Sequence, residues 1–132
     1  MEFEKQEVQE FKKKLEDRTM AFAVSTINTL AKLRFCEAAR CVISQLSRSA
    51  TSIGANYREA NHSESRQDFI HKISIITKET NETVYWLDLI SHLDFLTPDE
   101  KQLFHKLYKE AHELYALFIT ILRSAHDNKN KQ

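Results

Sequence analysis

Apolar residues recur along this chain at alternating steps of three and four, the spacing of one face of an α-helix. Four such stripes follow one another, and none shows the alternation of a β-strand. They are Val8, Phe11, Leu15, Thr19, Phe22, Thr26 and Leu30; Ile43, Leu46, Ala50, Ile53, Tyr57 and Ala60; Phe69, Ile73, Ile76, Thr80, Thr83, Leu87 and Ile90; and Leu103, Leu107, Ala111, Leu114, Phe118, Ile121 and Ala125. Helices of about 25–30 residues with short loops predict an all-α, antiparallel up-down-up-down four-helix bundle.

The helix boundaries are marked with unequal strength. Thr97 and Glu100 have the spacing of a capping box with Pro98 at the first helical position, which predicts the start of the fourth helix. Ser65 and Asp68 fit a second capping box before the third helix. We expect a single domain over residues 1–126 and a polar tail over 127–132.

Composition narrows the class of protein. The 132 residues include one Gly and one Pro, too few for a turn-rich β-sandwich or a glycine-rich phosphate loop. No apolar run is long enough to span a membrane, and the charged N-terminus does not look like a signal peptide. Cys36 and Cys41, five residues apart, lie on different helix faces, so we expect reduced thiols. These features predict a cytoplasmic protein without membrane partners or cofactors.

The net charge of zero conceals a pattern. Residues 1–20, 21–60, 61–100 and 101–132 carry −1, +3, −5 and +3. One interpretation is that a basic second helix pairs with an acidic third one. The other is a basic surface that contacts RNA or DNA. The basic residues nominated for such contacts are Lys32, Arg34, Arg40, Arg58, Lys101, Lys106 and Lys109.

The second helix contains a run of small residues in its interior. Ser52, Gly54 and Ala55 belong to this run, and Gly54 costs about 1 kcal/mol of helix stability relative to Ala. Small side chains let another helix approach closely. We therefore predict a helix-packing seam here, either inside the bundle or between subunits, in preference to a catalytic serine.

A hairpin of the second and third helices that turns near residue 62 places Arg48 near Glu79. The acids on the third helix need partners if they are buried, and a guanidinium binds carboxylates well. These considerations predict a structural polar network. Its members are Arg48, Asn56, Glu59, Arg66, Glu79 and Glu82.

Three ordered motifs now give the chain a family resemblance. They are residues 45–60 (QLSRSATSIGANYREA), 65–72 (SRQDFIHK) and 79–87 (ETNETVYWL). The chain resembles the 23S rRNA-intervening sequence proteins, a bacterial family of four-helix bundles, from about Phe11 to Arg123. It is also similar to the accessory proteins of diversity-generating retroelements.

The resemblance implies a ring-shaped homopentamer. It also implies, from the retroelement relatives, binding of a reverse transcriptase and of nucleic acid through a basic surface. This chain departs from those relatives because its net charge is zero.

Two further constellations bear on enzymatic activity. Arg66 and His71 have the R-x4-H spacing of a ribonuclease of helical-bundle type, but about one such match is expected by chance. Glu59 with His62, and Asp68 with His71, have carboxylate-x-x-histidine spacing, but they flank a loop instead of facing one another in the bundle. We therefore expect neither catalytic nor metal-binding residues.

These observations predict a non-enzymatic, self-assembling scaffold or adaptor whose partners are copies of itself and an unidentified protein. The alternative is a nucleic-acid-binding accessory protein that acts with a reverse transcriptase or ribosomal RNA. A ribonuclease that uses Arg66 and His71 is the third hypothesis.

Overall fold

The computed structural model describes residues 2–130, and all of its regular structure is helical. The helices are α1 (Glu2–Ala31), α2 (Arg40–Ala60), α3 (Arg66–Ser91) and α4 (Pro98–Asn130), with a single 3-10 turn at Glu37–Ala39 before α2. The prediction of an all-α four-helix bundle is confirmed.

Each helix packs against the next one in the chain, and α4 returns to α1. The contacts of α3 with α2 and with α4 are the most extensive, and those between α1 and α4 are the sparsest. Between α2 and α3, Glu59 meets Lys72 while Arg48 meets Glu79, so the pairs run in opposite directions along the two helices. The up-down-up-down order of the whole bundle remains a prediction.

The core follows the four predicted stripes closely. Its largest fully buried side chains include Tyr57, Phe104 and Phe118. Threonines also occupy core positions, and their hydroxyls are satisfied within the helices: Thr19 donates to the carbonyl of Leu15 at 2.9 Å. Because these hydroxyls bond to their own helix, they can be buried without polar partners on a neighbour.

The ends of two stripes are more exposed than predicted. Leu103 is 42% exposed, and its neighbour Phe104 is fully buried in its place. Leu103 lines a shallow depression with Ala21 and Ser25 of α1, where α1 and α4 pack loosely. The exposure of Val8 and Phe11 has a different cause, which lies in the length of α2.

α2 has 21 residues against 30 in α1, so it is shorter than the predicted length of about 25–30 residues. Asn61, just after the end of α2, donates to Glu16 in the middle of α1 at 3.2 Å. The first half of α1 therefore extends past the end of α2. Val8 and Phe11 have no α2 residues opposite them, which leaves them 51% and 47% exposed.

The predicted Thr97–Glu100 capping box has both of its hydrogen bonds, and Ser65 caps the start of α3. The amide of Thr97 donates to Glu100 Oε1 at 2.8 Å, and the amide of Glu100 donates to Thr97 Oγ1 at 3.1 Å. The amide of Asp68 donates to Ser65 Oγ at 3.0 Å. These bonds satisfy amides that the first turn of a helix leaves unpaired.

Several sequence predictions concern the chain ends and the compartment. α4 continues to Asn130, so residues 127–130 of the predicted tail are helical, and residues 131 and 132 lie outside the described residues. Both cysteines are free thiols, Cys36 half-buried and Cys41 exposed. None of the helices within residues 2–130 contains an apolar stretch of membrane-spanning length.

Candidate interaction surface

α1 and α2 approach each other closely at Gly54. A Cβ atom at this position would lie 3.2 Å from Thr19 Oγ1 and 3.4 Å from Thr19 Cβ. Thr19 is fully buried and its hydroxyl is bonded to two carbonyls of α1, so it has little freedom to move. The absence of a side chain at Gly54 therefore sets the spacing of the two helices.

Beside this contact, α1 and α2 form an open groove of about 810 Å³. Its α1 wall carries three large apolar side chains, Met20, Val24 and Ile27, which are 52%, 49% and 38% exposed. They are spaced at i, i+4 and i+7, so they form one stripe on the outer side of α1. The α2 wall is lined by small residues that include Gly54 and Ala55.

Exposed apolar residues are concentrated on α1 to an unusual degree. Six of the nine large hydrophobic side chains exposed in the described part of the chain belong to this helix. The six are Phe3, Val8, Phe11, Met20, Val24 and Ile27. Single exposed apolar residues are ordinary on a protein surface, whereas the contiguous set Met20, Val24 and Ile27 is typical of an interaction site.

Polar residues border the end of the groove nearest the α2–α3 turn. Glu16 accepts a hydrogen bond from Asn61, and Glu59 accepts one from Lys72 Nζ at 2.7 Å. Arg58 is exposed and takes part in no ion pair within residues 2–130. Both acids at this edge are thus hydrogen-bonded within the chain, whereas the side chain of Arg58 is exposed to solvent.

The structure separates the three residues of the predicted seam. Gly54 and Ala55 line the groove. Ser52 does not, and its hydroxyl donates to the carbonyl of Arg48 at 2.6 Å. Sequence reasoning missed the α1 wall because Met20, Val24 and Ile27 lie off the core stripe of that helix.

On another side of α2, Arg48 holds two acids of α3. Its Nη1 donates to Glu79 Oε2 at 3.1 Å, and its Nη2 donates to Glu82 Oε1 at 2.5 Å. The indole of Trp86 donates to the same oxygen of Glu82 at 3.1 Å. The structure thus brings together three of the six nominated network residues.

The other three nominated residues lie elsewhere. Asn56 donates to the carbonyl of Ser52 within α2, at 2.9 Å. Glu59 is bound by Lys72, the seventh residue of α3, and Arg66 is the first residue of that helix. Sequence reasoning also missed a buried bond between Thr83 and Ser49, whose hydroxyl oxygens are 2.9 Å apart.

The Arg48 cluster changes the acid–base properties of its members. The hydrogen bond from Arg48 is the main cause that lowers the pKa of Glu82 below its ordinary value of 4.5, and the Trp86 indole lowers it further. Glu82 and Glu79 in turn raise the pKa of Arg48. The three side chains remain between a fifth and a half exposed, so this is a surface ion-pair cluster that holds α2 against α3.

The nominated basic residues are all exposed and are distributed over three elements of the chain. Lys32 and Arg34 lie in the loop after α1, Arg40 begins α2, and Arg58 is near the far end of α2. The others are on α4, where Lys106 borders the shallow depression between α1 and α4. The basic loop also carries Phe35, which sequence reasoning missed.

Phe35 is the most exposed large apolar side chain among those described, at 79%. The guanidinium of Arg40 lies over its ring, 6.0 Å from the centroid. Arg40 also pairs with Glu37 at 3.2 Å. The arrangement places one exposed aromatic ring next to the Arg40 guanidinium, just before α2 begins.

The remaining constellations concern catalysis and metals. Arg66 and His71 are both exposed on α3, five residues apart, and therefore project in different directions. Nowhere in the described chain do three His, Cys, Asp or Glu side chains come together as a metal site would require. His62, two residues after the end of α2, has its Nδ1 atom 2.8 Å from the carbonyl oxygen of Arg58 in the last turn of that helix.

Comparison with known proteins bears on fold and family. The family model for the 23S rRNA-intervening sequence protein matches residues 12–119. A crystal structure from Bacteroides thetaiotaomicron VPI-5482, described as a protein of unknown function from the S23 ribosomal protein family, is 36% identical to the chain with a TM-score of 0.68. The match covers 81% of this chain and 96% of that one. Among curated proteins, none matches.

Proposed function

The chain belongs to the 23S rRNA-intervening sequence protein family, and we propose that it acts as a non-enzymatic, self-assembling scaffold or adaptor. The observation that carries this proposal is the concentration of exposed apolar side chains on α1. Six large hydrophobic residues on one helix keep water in contact with apolar surface, which is unfavourable by about 25 cal/mol per Å². A partner that covers α1 removes this cost.

The packing of α1 also supports assembly. α1 makes few contacts with α4, and the shorter α2 packs against only part of its length. Its outer face is therefore available to a second copy, and the small α2 residues beside the groove permit close approach of a helix. The expected ring of five copies has a mass of about 78 kDa, from 15.5 kDa for each chain.

Two matched substitutions on α1 test this proposal. Val24→Asp places a charge on the groove wall, whereas Ala21→Asp places the same charge on the exposed surface toward α4. We expect Val24→Asp to shift the sedimenting species toward 15.5 kDa and Ala21→Asp to leave it unchanged. An assembly that tolerates Val24→Asp as well as it tolerates Ala21→Asp would refute the assignment of this surface.

Nucleic-acid binding is the second candidate function, and one observation favours it. Phe35 is largely exposed in a loop that also carries Lys32 and Arg34, and Arg40 at the start of α2 lies over its ring. Aromatic rings stack on unpaired bases, while flanking cations contact phosphates. A ring of copies would present several such loops, so that weak individual contacts reinforce one another.

An electrophoretic shift with single-stranded RNA at two salt concentrations tests this second function. We expect Phe35→Ala to weaken binding about tenfold, since a stacked base contributes about 1–3 kcal/mol. Tyr85→Ala is the matched control, because Tyr85 is an exposed aromatic residue on the acidic α3. Equal losses in the two variants, or no salt-dependent shift in the wild type, would exclude the loop as a binding site.

A further inference from the structure

The buried face of α1 contains fewer large apolar side chains than that of α3. Its buried residues are Leu15, Thr19, Phe22, Thr26 and Leu30, so two of the five are threonines. α3 is shorter, yet its buried face contains five isoleucine and leucine residues. Because burial of apolar surface is the main favourable contribution to folding, α1 gains less free energy from packing than α3 does.

The contacts between α1 and the other helices are also the least extensive. α1 packs against α2 and only sparsely against α4, whereas α3 packs extensively against both α2 and α4. Residues 32–36, which connect α1 to the segment before α2, are not helical. A rotation within this connection would therefore move α1 away while the contacts among α2, α3 and α4 stay in place.

Ion pairs connect α1 to α4 where their packing is sparse. Arg18 Nε donates to Glu110 Oε2 at 2.9 Å, and its Nη2 donates to Glu110 Oε1 at 2.6 Å, so two nitrogens bind one carboxylate. The same Nη2 donates to Glu113 at 2.7 Å. Arg18 and Glu110 are only 38% and 30% exposed, and charged bidentate bonds are stronger than neutral ones. We call Arg18, Glu110 and Glu113 the Arg18 fork.

We infer that α1 separates from the bundle as a unit while α2, α3 and α4 stay folded, and that the Arg18 fork opposes this opening. Such a step is a local unfolding that costs less free energy than unfolding of the whole chain. It uncovers the part of α2 around Gly54, which Thr19 contacts in the closed chain. The inference concerns a single copy and does not depend on the proposed self-assembly.

Hydrogen exchange of the backbone amides, followed by mass spectrometry of peptides, tests this inference. Under conditions where closing is faster than exchange, the amides of α1 report its own opening, and those of α3 report unfolding of the whole chain. In the wild type we expect the amides of residues 19–30 to exchange about tenfold faster than those of residues 70–90, relative to their rates in an unfolded chain.

Two matched substitutions each remove a guanidinium that binds two carboxylates. Arg18→Gln breaks the Arg18 fork, which exists only in the closed chain, so it should speed exchange in both α1 and α3 by about fivefold. Arg48→Gln breaks contacts between α2 and α3, which persist when α1 opens. It should therefore speed exchange in α3 and leave exchange in α1 unchanged.

Two outcomes would overturn the inference. If Arg48→Gln speeds exchange in α1 as much as in α3, α1 opens only when the whole chain unfolds. If Arg18→Gln leaves exchange in α1 unchanged, the fork does not oppose the opening. Glu110→Gln weakens the same fork from α4 and replaces Arg18→Gln should that variant lose helicity in circular dichroism. All proteins are compared at one concentration, and native mass spectrometry of the same samples tests self-assembly separately.

Discussion

The guanidinium of Arg48 contacts two carboxylates of α3, and its contribution to stability can be isolated by a double-mutant cycle with Glu79. We expect a coupling free energy of about 0.5–1 kcal/mol, since the Arg48 cluster is partly exposed and multidentate. The Glu37–Arg40 pair, exposed by more than two thirds on both sides, is the matched control and should couple by about 0.3 kcal/mol. Equal coupling in the two pairs, measured by urea unfolding, would remove the cluster as a specific link between α2 and α3.

The pH dependence of stability tests the same cluster, because the pKa of Glu82 is lowered by its bond to Arg48. Because its pKa is lowered in the folded state, its stabilising contribution is present above the ordinary value of 4.5 and is lost as the pH falls through the lowered pKa. Wild-type stability should therefore fall more steeply below about pH 4.5 than that of Glu82→Gln. If the urea unfolding midpoints of the wild type and of Glu82→Gln decreased equally from neutral to acidic pH, this assignment would be contradicted.

Gly54 tests the spacing of α1 and α2. Gly54→Ala gains about 1 kcal/mol of helix propensity, but its Cβ would press on the immobile Thr19, so we expect a net change of less than about 1 kcal/mol. Gly54→Leu cannot be accommodated and should lower the free energy of unfolding by about 1–3 kcal/mol. A Leu variant as stable as the Ala variant in urea would show that the helices are free to separate.

Among the elements, α4 shows how neighbours determine the buried face. Phe104 is fully buried and Leu103 is 42% exposed, although the sequence pattern favours Leu103. Phe104→Ala should lower the free energy of unfolding by about 3–5 kcal/mol, and Leu103→Ala by less than about 1 kcal/mol. Similar losses for the two variants in chemical unfolding would mean that α1 and α4 pack more tightly than described.

The elements also show which parts of the fold are predictable. Periodicity gives the helices because burial of one face repeats every 3.6 residues, and the Thr97–Glu100 capping box fixes a boundary because its bonds are local. The exposure of Phe11 and Leu103 was not predictable, because it depends on how long α2 is and how closely α4 approaches α1. Pattern alone carries no information about such distances.

The candidate site was predictable only in part for the same reason. Gly54 is conspicuous in the sequence because it is unfavourable inside a helix, and it does mark the α1–α2 contact. Met20, Val24 and Ile27 were missed because they lie outside the core repeat of α1. Phe35 lies in a loop, where no periodicity distinguishes an exposed aromatic residue from a buried one.

At the scale of the whole molecule, the unequal lengths of α1 and α2 leave apolar surface on one helix, and self-assembly is the central claim built on it. The direct measurement is the mass of the wild-type protein by light scattering over a range of concentrations. We predict a stable oligomer, with about 78 kDa for the expected ring of five chains of 15.5 kDa. A single species of 15.5 kDa that persists at the highest concentration would contradict the account.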